Sequence, residues 1–317
     1  MTTKKKVEQV LERADISVGD LTSDGGLLQP DQAERFIDEV EEQPTMISQV
    51  RTVRMNSPTM KIDKIGFDQR IMKAAPQGTS PFAQDDGSNN RWLAAADRSK
   101  VVTRQIELTA KEVMAEIHIP YDVLEDNLER GNFESHVMSL MARRAAQDLE
   151  DWIINADTAS GDAYLALTDG VLKLAVTNTV DNLNAGMTPD TFRDAMLAMP
   201  QRYLMQSQSQ MQHFVTVADE IRYHSNVAQR ATGYGDSALT GNAPLFAHGV
   251  PMQRTPFMAG NTALMTMPQN IVFGIHRDIM VETDRDIRAR ELIIVMSTRV
   301  DVQVEDEEAL VKIVNVN

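Results

Sequence analysis

The stretch that most constrains this chain is residues 99–120, "SKVVTRQIELTAKEVMAEIHIP", which keeps an extended pattern over about twenty residues. At about 3.3 Å per residue, one continuous strand of this length would reach roughly 65 Å. Its alternation changes phase, because Ile106 and Leu108 share one parity whereas Val113 and Ile117 share the other. Since successive side chains of a strand point to opposite faces, the buried face must switch or a bulge must intervene. The pattern therefore predicts a strand that leaves one environment and enters another.

A stretch rich in Gly and Pro, residues 75–92 ("APQGTSPFAQDDGSNNRW"), precedes this strand. Its composition is typical of turns, yet it also carries Phe82 and Trp92. Residues 59–72 and 99–119 flank it as two extended legs, and together they predict a β-hairpin. An isolated two-stranded hairpin is marginally stable in water, so we expect this one to bury its surface on a neighbouring protein.

The longest helical pattern covers residues 132–157, where Asn132 is a suitable N-cap. Its apolar positions at four-residue spacing are Phe133, Val137, Met141, Ala145, Leu149 and Ile153. Thr188 followed by Pro189 predicts a second helix start. Two short amphipathic patterns before residue 46 predict an arm, and residues 46–55 have a strand pattern. The last sixty residues have mostly strand patterns, among them two separate strands at 270–275 and 279–284. This mixture of long helices and strands predicts an α+β fold.

The composition excludes several classes of protein. The chain has 317 residues, of which 42% are hydrophobic, so it is long enough for one large or two ordinary domains. It has no Cys, which excludes disulfides and thiolate metal sites. It also has no apolar run near the roughly 20 residues that span a bilayer. The formal net charge of -15 opposes a broad attraction to nucleic acid. We therefore expect an ordered protein of a cytoplasm that does not bind DNA specifically.

Fragments that look catalytic lack the partners their chemistry requires. His276, Arg277 and Asp278 match a kinase catalytic-loop tripeptide, but Thr283 stands where a metal-binding Asn is needed. The glycines of residues 233–241 lack a preceding strand and the Gly-Lys-Ser/Thr ending of a phosphate loop. The six His residues have no spacing that places two imidazoles on one helix face. These fragments therefore do not indicate an enzyme, and we predict no catalytic, cofactor-binding or metal-binding residues.

The order of these segments resembles the major capsid proteins of tailed bacteriophages, which have the Hong Kong 97-type fold. The resemblance begins with "DGGLLQPDQAERFIDEV" at the arm and continues with "RQIELTAKEVMAEIHIPYDVLEDN" running into "FESHVMSLMARRAAQDLEDWIINAD". It ends with the strands from "GVPMQRTPFM" to "EEALVKI". The succession covers nearly the whole chain, and the succession is the specific feature.

The resemblance implies a Hong Kong 97-like α+β fold with an N-terminal arm at 1–45, a peripheral domain at 46–187, an axial domain at 188–275 and C-terminal strands at 276–317. Within the peripheral domain it implies an extended β-hairpin loop at 59–119 and a spine helix at 132–157. The C-terminal strands would return the chain between the axial and peripheral domains.

The resemblance also implies a function. Such subunits form hexamers and pentamers that tile an icosahedral shell around double-stranded DNA, as the capsid of a virion assembled in the cytoplasm of the bacterial host. The implied partners are a separate scaffolding protein, a portal and decoration proteins, with no membrane and no cofactor. The candidate contacts between subunits, at or beside the loop tip, are Lys73, Phe82, Arg91, Trp92 and Lys100. The acidity suits a container, because an inner wall that repels DNA does not trap it.

Two departures from the family limit what the resemblance implies. Some relatives begin with a long scaffolding region that is cleaved off, whereas about 24 residues precede the arm pattern here, so we expect a separate scaffold and no self-cleavage. Some relatives also cross-link a loop Lys to an Asn of a neighbour. Lys73 and Lys100 flank the loop tip, but we identify no matching Asn in the C-terminal strands. We therefore expect non-covalent locking of the shell.

Two alternatives remain open from the sequence. One is the shell protein of a bacterial or archaeal nanocompartment, similar to the encapsulins, which would have a cargo-docking pocket and assemble without a portal. The other is a soluble enzyme or binding module, which would be a monomer or a small oligomer. Electron microscopy and sedimentation of the purified protein distinguish the second alternative from both kinds of shell.

Overall fold

A computed structural model describes residues 43–67, 70–74, 93, 98–126, 133–229 and 245–316. This part of the chain is divided into two compact units. We call Thr59–Leu108 the loop unit and the described residues up to Pro58 and from Thr109 onward the core unit. The two predicted helices of the arm, and the predicted N-cap Asn132, lie outside the described residues.

The described residues form twelve strands and six α-helices. The strands are β1 (Arg51–Arg54), β2 (Thr59–Gly66), β3 (Val102–Thr109), β4 (Lys111–Pro120), β5 (Asn178–Asp181), β6 (Gln212–Val215), β7 (Phe246–Ala247), β8 (Val250–Arg254), β9 (Thr262–Thr266), β10 (Ile271–Asp286), β11 (Glu291–Val304) and β12 (Leu310–Val314). The helices are α1 (Tyr121–Asp126), α2 (Phe133–Asn155), α3 (Val171–Leu174), α4 (Pro189–Ala198), α5 (Gln201–Ser207) and α6 (Val217–Ala228).

The first sheet of the core unit has the strand order β1-β10-β11-β4, and the long helix α2 packs against it. β1 runs parallel to β10, whereas the other neighbours are antiparallel. Ile119 pairs with Leu292 across β4 and β11, and both pack against Val137 and Met141 of α2. The period of two in the strands and of about four in the helix thus produces one shared apolar layer.

The second sheet of the core unit has the order β5-β12-β9-β6-β8-β7. Phe192 of α4 and Tyr223 of α6 pack against Met265 of β9 and Ile313 of β12. Helix α4 begins as the sequence predicts, because Thr188 is its N-cap and accepts a hydrogen bond from the Thr191 amide in a capping box. A further buried cluster around Trp152 includes residues of both sheets, so the core unit has a continuous interior.

The predicted long helix is confirmed, since α2 covers Phe133–Asn155 within the predicted range 132–157. The predicted switch in the strand is also confirmed: β3 pairs with β2, Ala110 interrupts the strand, and β4 pairs with β11. Strand pairing therefore places Lys111 onward in the core sheet, whereas the sequence prediction continued the second hairpin leg to residue 119. The long-range partner β11, not the local pattern, decides where the leg ends.

Three further differences concern strands. Two strands predicted within residues 270–286 form the single strand β10, which the register shifts between Ile275 and Met280 bend without ending. Residues 46–50, predicted as part of a strand, form a turn instead, and β1 begins at Arg51. Strands β5, β7 and β8 were not predicted, because segments of two to five residues have too few positions for a period to be visible.

Candidate intersubunit surface

Of the five predicted contact residues, the structure describes Lys73 and Lys100. Both side chains are exposed; Lys73 follows β2, and Lys100 precedes β3 by two positions. Phe82, Arg91 and Trp92 lie outside the described residues. Beyond the paired strands, the Ser99 hydroxyl donates a hydrogen bond of 3.0 Å to the Arg70 carbonyl. The two legs are therefore still held together close to both lysines.

Several large apolar side chains of the loop unit are exposed. The sequence analysis did not predict these exposed residues. Among the residues of the loop unit that the structure describes, the large exposed ones are Ile65, Phe67, Ile71, Met72 and Val101, with exposed fractions of 70%, 52%, 53%, 85% and 57%. A signal was available in β2, because Ile65 and Phe67 have the opposite parity to Met60 and Ile62. A two-sided apolar strand that lacks two covering layers presents a surface suited to another chain.

A buried carboxylate on β11 binds Thr109, which is the last residue of β3 and a residue of the core unit. Asp301 is 2% exposed; its Oδ2 accepts a hydrogen bond of 2.6 Å from the Thr109 amide, and its Oδ1 accepts one of 3.1 Å from the Thr168 hydroxyl. Burial raises the pKa of Asp301 although these donors act in the opposite direction. One residue further on, the Ala110 amide donates to the Pro58 carbonyl at 2.8 Å. Each backbone amide at the interruption of the strand therefore has an acceptor.

A second buried carboxylate, on α2, holds the first described turn of the chain. Glu150 is fully buried, and its Oε2 accepts hydrogen bonds from the amides of Met46 (2.9 Å) and Ile47 (3.2 Å). These amides lie at the start of the turn that the Val50 amide closes onto the Met46 carbonyl, so Glu150 caps it. Burial raises the pKa of the Glu150 carboxyl. This side chain explains why residues 46–50 turn instead of extending β1.

An ion-pair network connects three strands of the first sheet. Glu112 of β4 bonds to Arg277 of β10 at 2.6 Å and to Arg299 of β11 at 2.9 Å. The Arg299 and Arg277 guanidinium groups lower the pKa of Glu112. The tripeptide that matched a kinase motif thus lies within a strand, where Arg277 makes a structural pair. Near this network, β10 exposes Ile279, Met280 and Val281, a second apolar surface on the core unit (exposed fractions 46%, 45% and 42%).

The described residues hold no arrangement that indicates catalysis. Among them, no group of three His, Cys, Asp or Glu side chains is placed to hold a metal ion. His213 is fully buried beside Phe192, with ring centroids 4.6 Å apart, and burial lowers its pKa to about 3, so it is a neutral core residue. No helix in the described ranges has both the length and the apolar character needed to cross a membrane. The exposed apolar side chains of the loop unit and of β10 form surfaces suited to contact with another chain.

Comparison with solved structures identifies the fold. The capsid of a native GTA particle matches 95% of this chain and 100% of its own, with a TM-score of 0.66 and 13% identity. The Microbacterium phage Oxtober96 structure matches 95% and 99%, with a TM-score of 0.65 and 14% identity. The holo-SrpI encapsulin complex of Synechococcus elongatus PCC 7942 matches 95% and 97%, with a TM-score of 0.61 and 10% identity. The fold is the Hong Kong 97-type capsid fold that the sequence predicted.

Sequence comparison then identifies the family. The model of the phage capsid family matches residues 24–315. A protein of Bacillus subtilis (strain 168), named as a prophage capsid protein, YqbE, is 36% identical over 321 aligned positions, and the alignment covers 98% of this chain and 98% of the relative. The chain belongs to the phage capsid family and is a structural major capsid protein.

Proposed function

We propose that this capsid protein assembles into hexamers and pentamers that close an icosahedral shell around double-stranded DNA. The exposed apolar surface of the loop unit carries the proposal, above all Ile65, Ile71 and Met72. Full burial of one Ile or Met side chain contributes about 1.5–3 kcal/mol of free energy. These side chains do not gain that free energy in the subunit, because they are largely exposed. A neighbouring copy of the chain would supply the missing cover, because repeated contacts between identical subunits build closed symmetric assemblies.

Lys73 and Lys100, with Phe82, Arg91 and Trp92, lie in the interface that we propose. The support comes from charge: the chain has 46 acidic and 31 basic side chains, so an exposed Lys of one copy meets a predominantly acidic neighbour. Both lysines are exposed and available for such contacts. The proposed contacts are ion pairs and apolar packing, so the shell is locked without covalent bonds.

We further propose three protein partners for the shell. A separate scaffolding protein would control curvature during assembly in the bacterial cytoplasm, a portal would occupy one vertex, and decoration proteins would bind the finished shell. The net charge of -15 supports enclosure of DNA without sequence-specific binding, since like charge keeps the packaged DNA from adhering to the wall.

A nanocompartment shell is the second candidate, and the likeness to an encapsulin favours it. At 10% identity that likeness shows the fold alone, whereas the 36% identical relative is named as a prophage capsid protein. Particles purified from a producing cell distinguish the two candidates. DNA that resists nuclease inside the particles supports the phage capsid, and a protein cargo without DNA supports the nanocompartment.

The assembly proposal is tested on the full chain by electron microscopy and sedimentation. The wild-type protein should form closed shells, and the double variant Ile71→Ser, Met72→Ser should remain as small oligomers. Because both side chains are already exposed in the subunit, its unfolding temperature should not change. The matched control is Asp63→Ser, an exposed polar position in β2, which should assemble like the wild type.

Two results would count against the proposal. Shells of normal yield from the double variant would show that the apolar surface is not an interface. Small particles from the wild type under every assembly condition would refute shell formation itself.

A further inference from the structure

Between β3 and β4, one residue, Ala110, is not paired in the β4–β11 ladder. The last β4–β11 pair is Lys111 with Val300, and Ala110 belongs to neither strand. Asp301 is the next residue of β11 after that pair, and its side chain, not its backbone, accepts the Thr109 amide at 2.6 Å. Thr109, the last residue of β3, is thus bound to β11 through one side chain.

The apolar pattern alone does not fix the register at this point. A slip of β4 against β11 by two residues keeps every side chain on its own face, yet it moves the end of β3 by about 6.6 Å at 3.3 Å per residue. The short bond between Asp301 and Thr109 exists in one register only, because a slip would place another residue before the carboxylate. Two registers of β4 on β11 that differ by two residues bury the same faces, but only one of them allows the bond between Asp301 and Thr109.

The surroundings of Asp301 make this bond specific. The carboxylate is buried, its second oxygen is held by the Thr168 hydroxyl at 3.1 Å, and Lys111 supplies the nearby positive charge. Loss of the carboxylate would leave the Thr109 amide without this acceptor in a partly buried position. Asn at this position retains both bonds, because its carbonyl oxygen can accept the amide and its NH₂ can donate to the Thr168 hydroxyl oxygen.

We propose that Asp301 is a positioning residue for shell assembly: it fixes the register of β4 on β11 and so the residue at which the loop unit begins. This inference rests on the proposed assembly function and names a residue that acts on it from outside the intersubunit surface. In a slipped register the chain would leave the core sheet at a different residue, which changes the length of the segment that carries Lys73, Lys100 and the exposed apolar residues.

The test compares Asp301→Ala with Asp301→Asn and with a control, Val302→Ala, which removes buried apolar volume from the same strand. Amide hydrogen exchange of unassembled subunits should be roughly tenfold faster at Thr109 in Asp301→Ala, but unchanged there in Asp301→Asn and in the control. Shell yield should fall and shell diameters should scatter for Asp301→Ala only. Thr168→Val should leave the protection of Thr109 intact.

Defined results overturn the inference. Uniform shells from Asp301→Ala at the yield of Val302→Ala, with equal unfolding temperatures, would reduce Asp301 to an ordinary core residue. If Asp301→Ala does not fold, the test rests on Asp301→Asn. Faster amide hydrogen exchange at Thr109 in that variant, or a wide spread of shell diameters, would refute a role through hydrogen bonding. If both the wild type and Asp301→Ala form normal shells, only the inference about Asp301 is refuted. If the wild type forms no shells, the proposed assembly function is refuted.

Discussion

At the residue scale, the buried carboxylates Glu150 and Asp301 have a common arrangement. Each accepts backbone amides from a segment far away in the chain, and burial raises the pKa of each. Ionisation is thus less favourable in the folded protein than in the unfolded chain, although the hydrogen bonds oppose this effect. These residues stabilise particular backbone positions rather than the fold as a whole.

Glu150 gives a prediction about pH. Because its folded pKa is raised above the ordinary 4.5, its favourable contribution is fully present below pH 4.5 and is lost as pH rises through the folded pKa. Glu150→Gln should remove this part of the pH dependence, so the free energy of unfolding of the variant should decline less than that of the wild type as pH rises above 4.5. Denaturant unfolding at several pH values measures both slopes.

Asp157 serves as the control of opposite sign. Its pKa is lowered, chiefly by the Ala159 amide with Lys173 as a further cause, so its contribution is present at neutral pH and is lost as pH falls through the folded pKa. Asp157→Asn should therefore alter the slope on the acid side, below pH 3.8. Identical slopes for Glu150→Gln and the wild type would contradict the assignment for Glu150.

At the element scale, α2 supports the core unit through one face. Leu149 and Trp152 are buried in the cluster that includes residues of both sheets, whereas Ser139 of the same helix is exposed. The sequence predicted this face from spacing alone, because apolar residues three and four apart share one side of a helix. The helix therefore has a structural face and a solvent face.

Truncation of the buried face should destabilise the subunit. We expect Trp152→Ala to lower the free energy of unfolding by about 3–5 kcal/mol and Leu149→Ala by about 2–5 kcal/mol, since each leaves a cavity. Ser139→Ala, at an exposed position, should change it by less than about 0.5 kcal/mol. Thermal or denaturant unfolding of unassembled subunits provides the measurement, and similar losses at all three positions would refute the two-faced assignment.

At the scale of the whole molecule, the loop unit and the core unit have different tasks. The core unit has continuous apolar clusters of its own. The described residues of the loop unit form one two-stranded sheet and expose five large apolar side chains. A subunit should therefore fold without the full loop unit, while assembly should require it.

Deletion of residues 75–92 tests this separation. The described apolar clusters of the core unit are built from residues outside 75–92, so we expect the subunit to fold with little change in its unfolding temperature. Shells should form poorly or have lower thermal stability, as electron microscopy and calorimetry of assembled particles would show. Normal assembly with an unchanged shell transition would contradict the proposed role of these residues.

The sequence by itself determined the period of the long helix, the start of a second helix and the change of face along the extended segment. The helix over 133–155, the helix start at Thr188 and the change of parity between Leu108 and Val113 are local features, because each depends on residues within a few turns or strand positions. The order of these segments was sufficient to indicate the capsid fold. The exposed apolar residues of β2 were also visible in the sequence, as a strand with apolar residues on both faces.

Only the tertiary structure decided which strands pair and which backbone groups the buried acids hold. Thr109 and Asp301 are 192 positions apart, and Met46 and Glu150 are 104 apart. A local pattern specifies which face of a strand is buried, but it does not name the partner strand or the register. The sequence therefore predicted a change of environment near Ala110. It did not predict that Asp301 binds Thr109 there, because that contact depends on the pairing of β4 with β11.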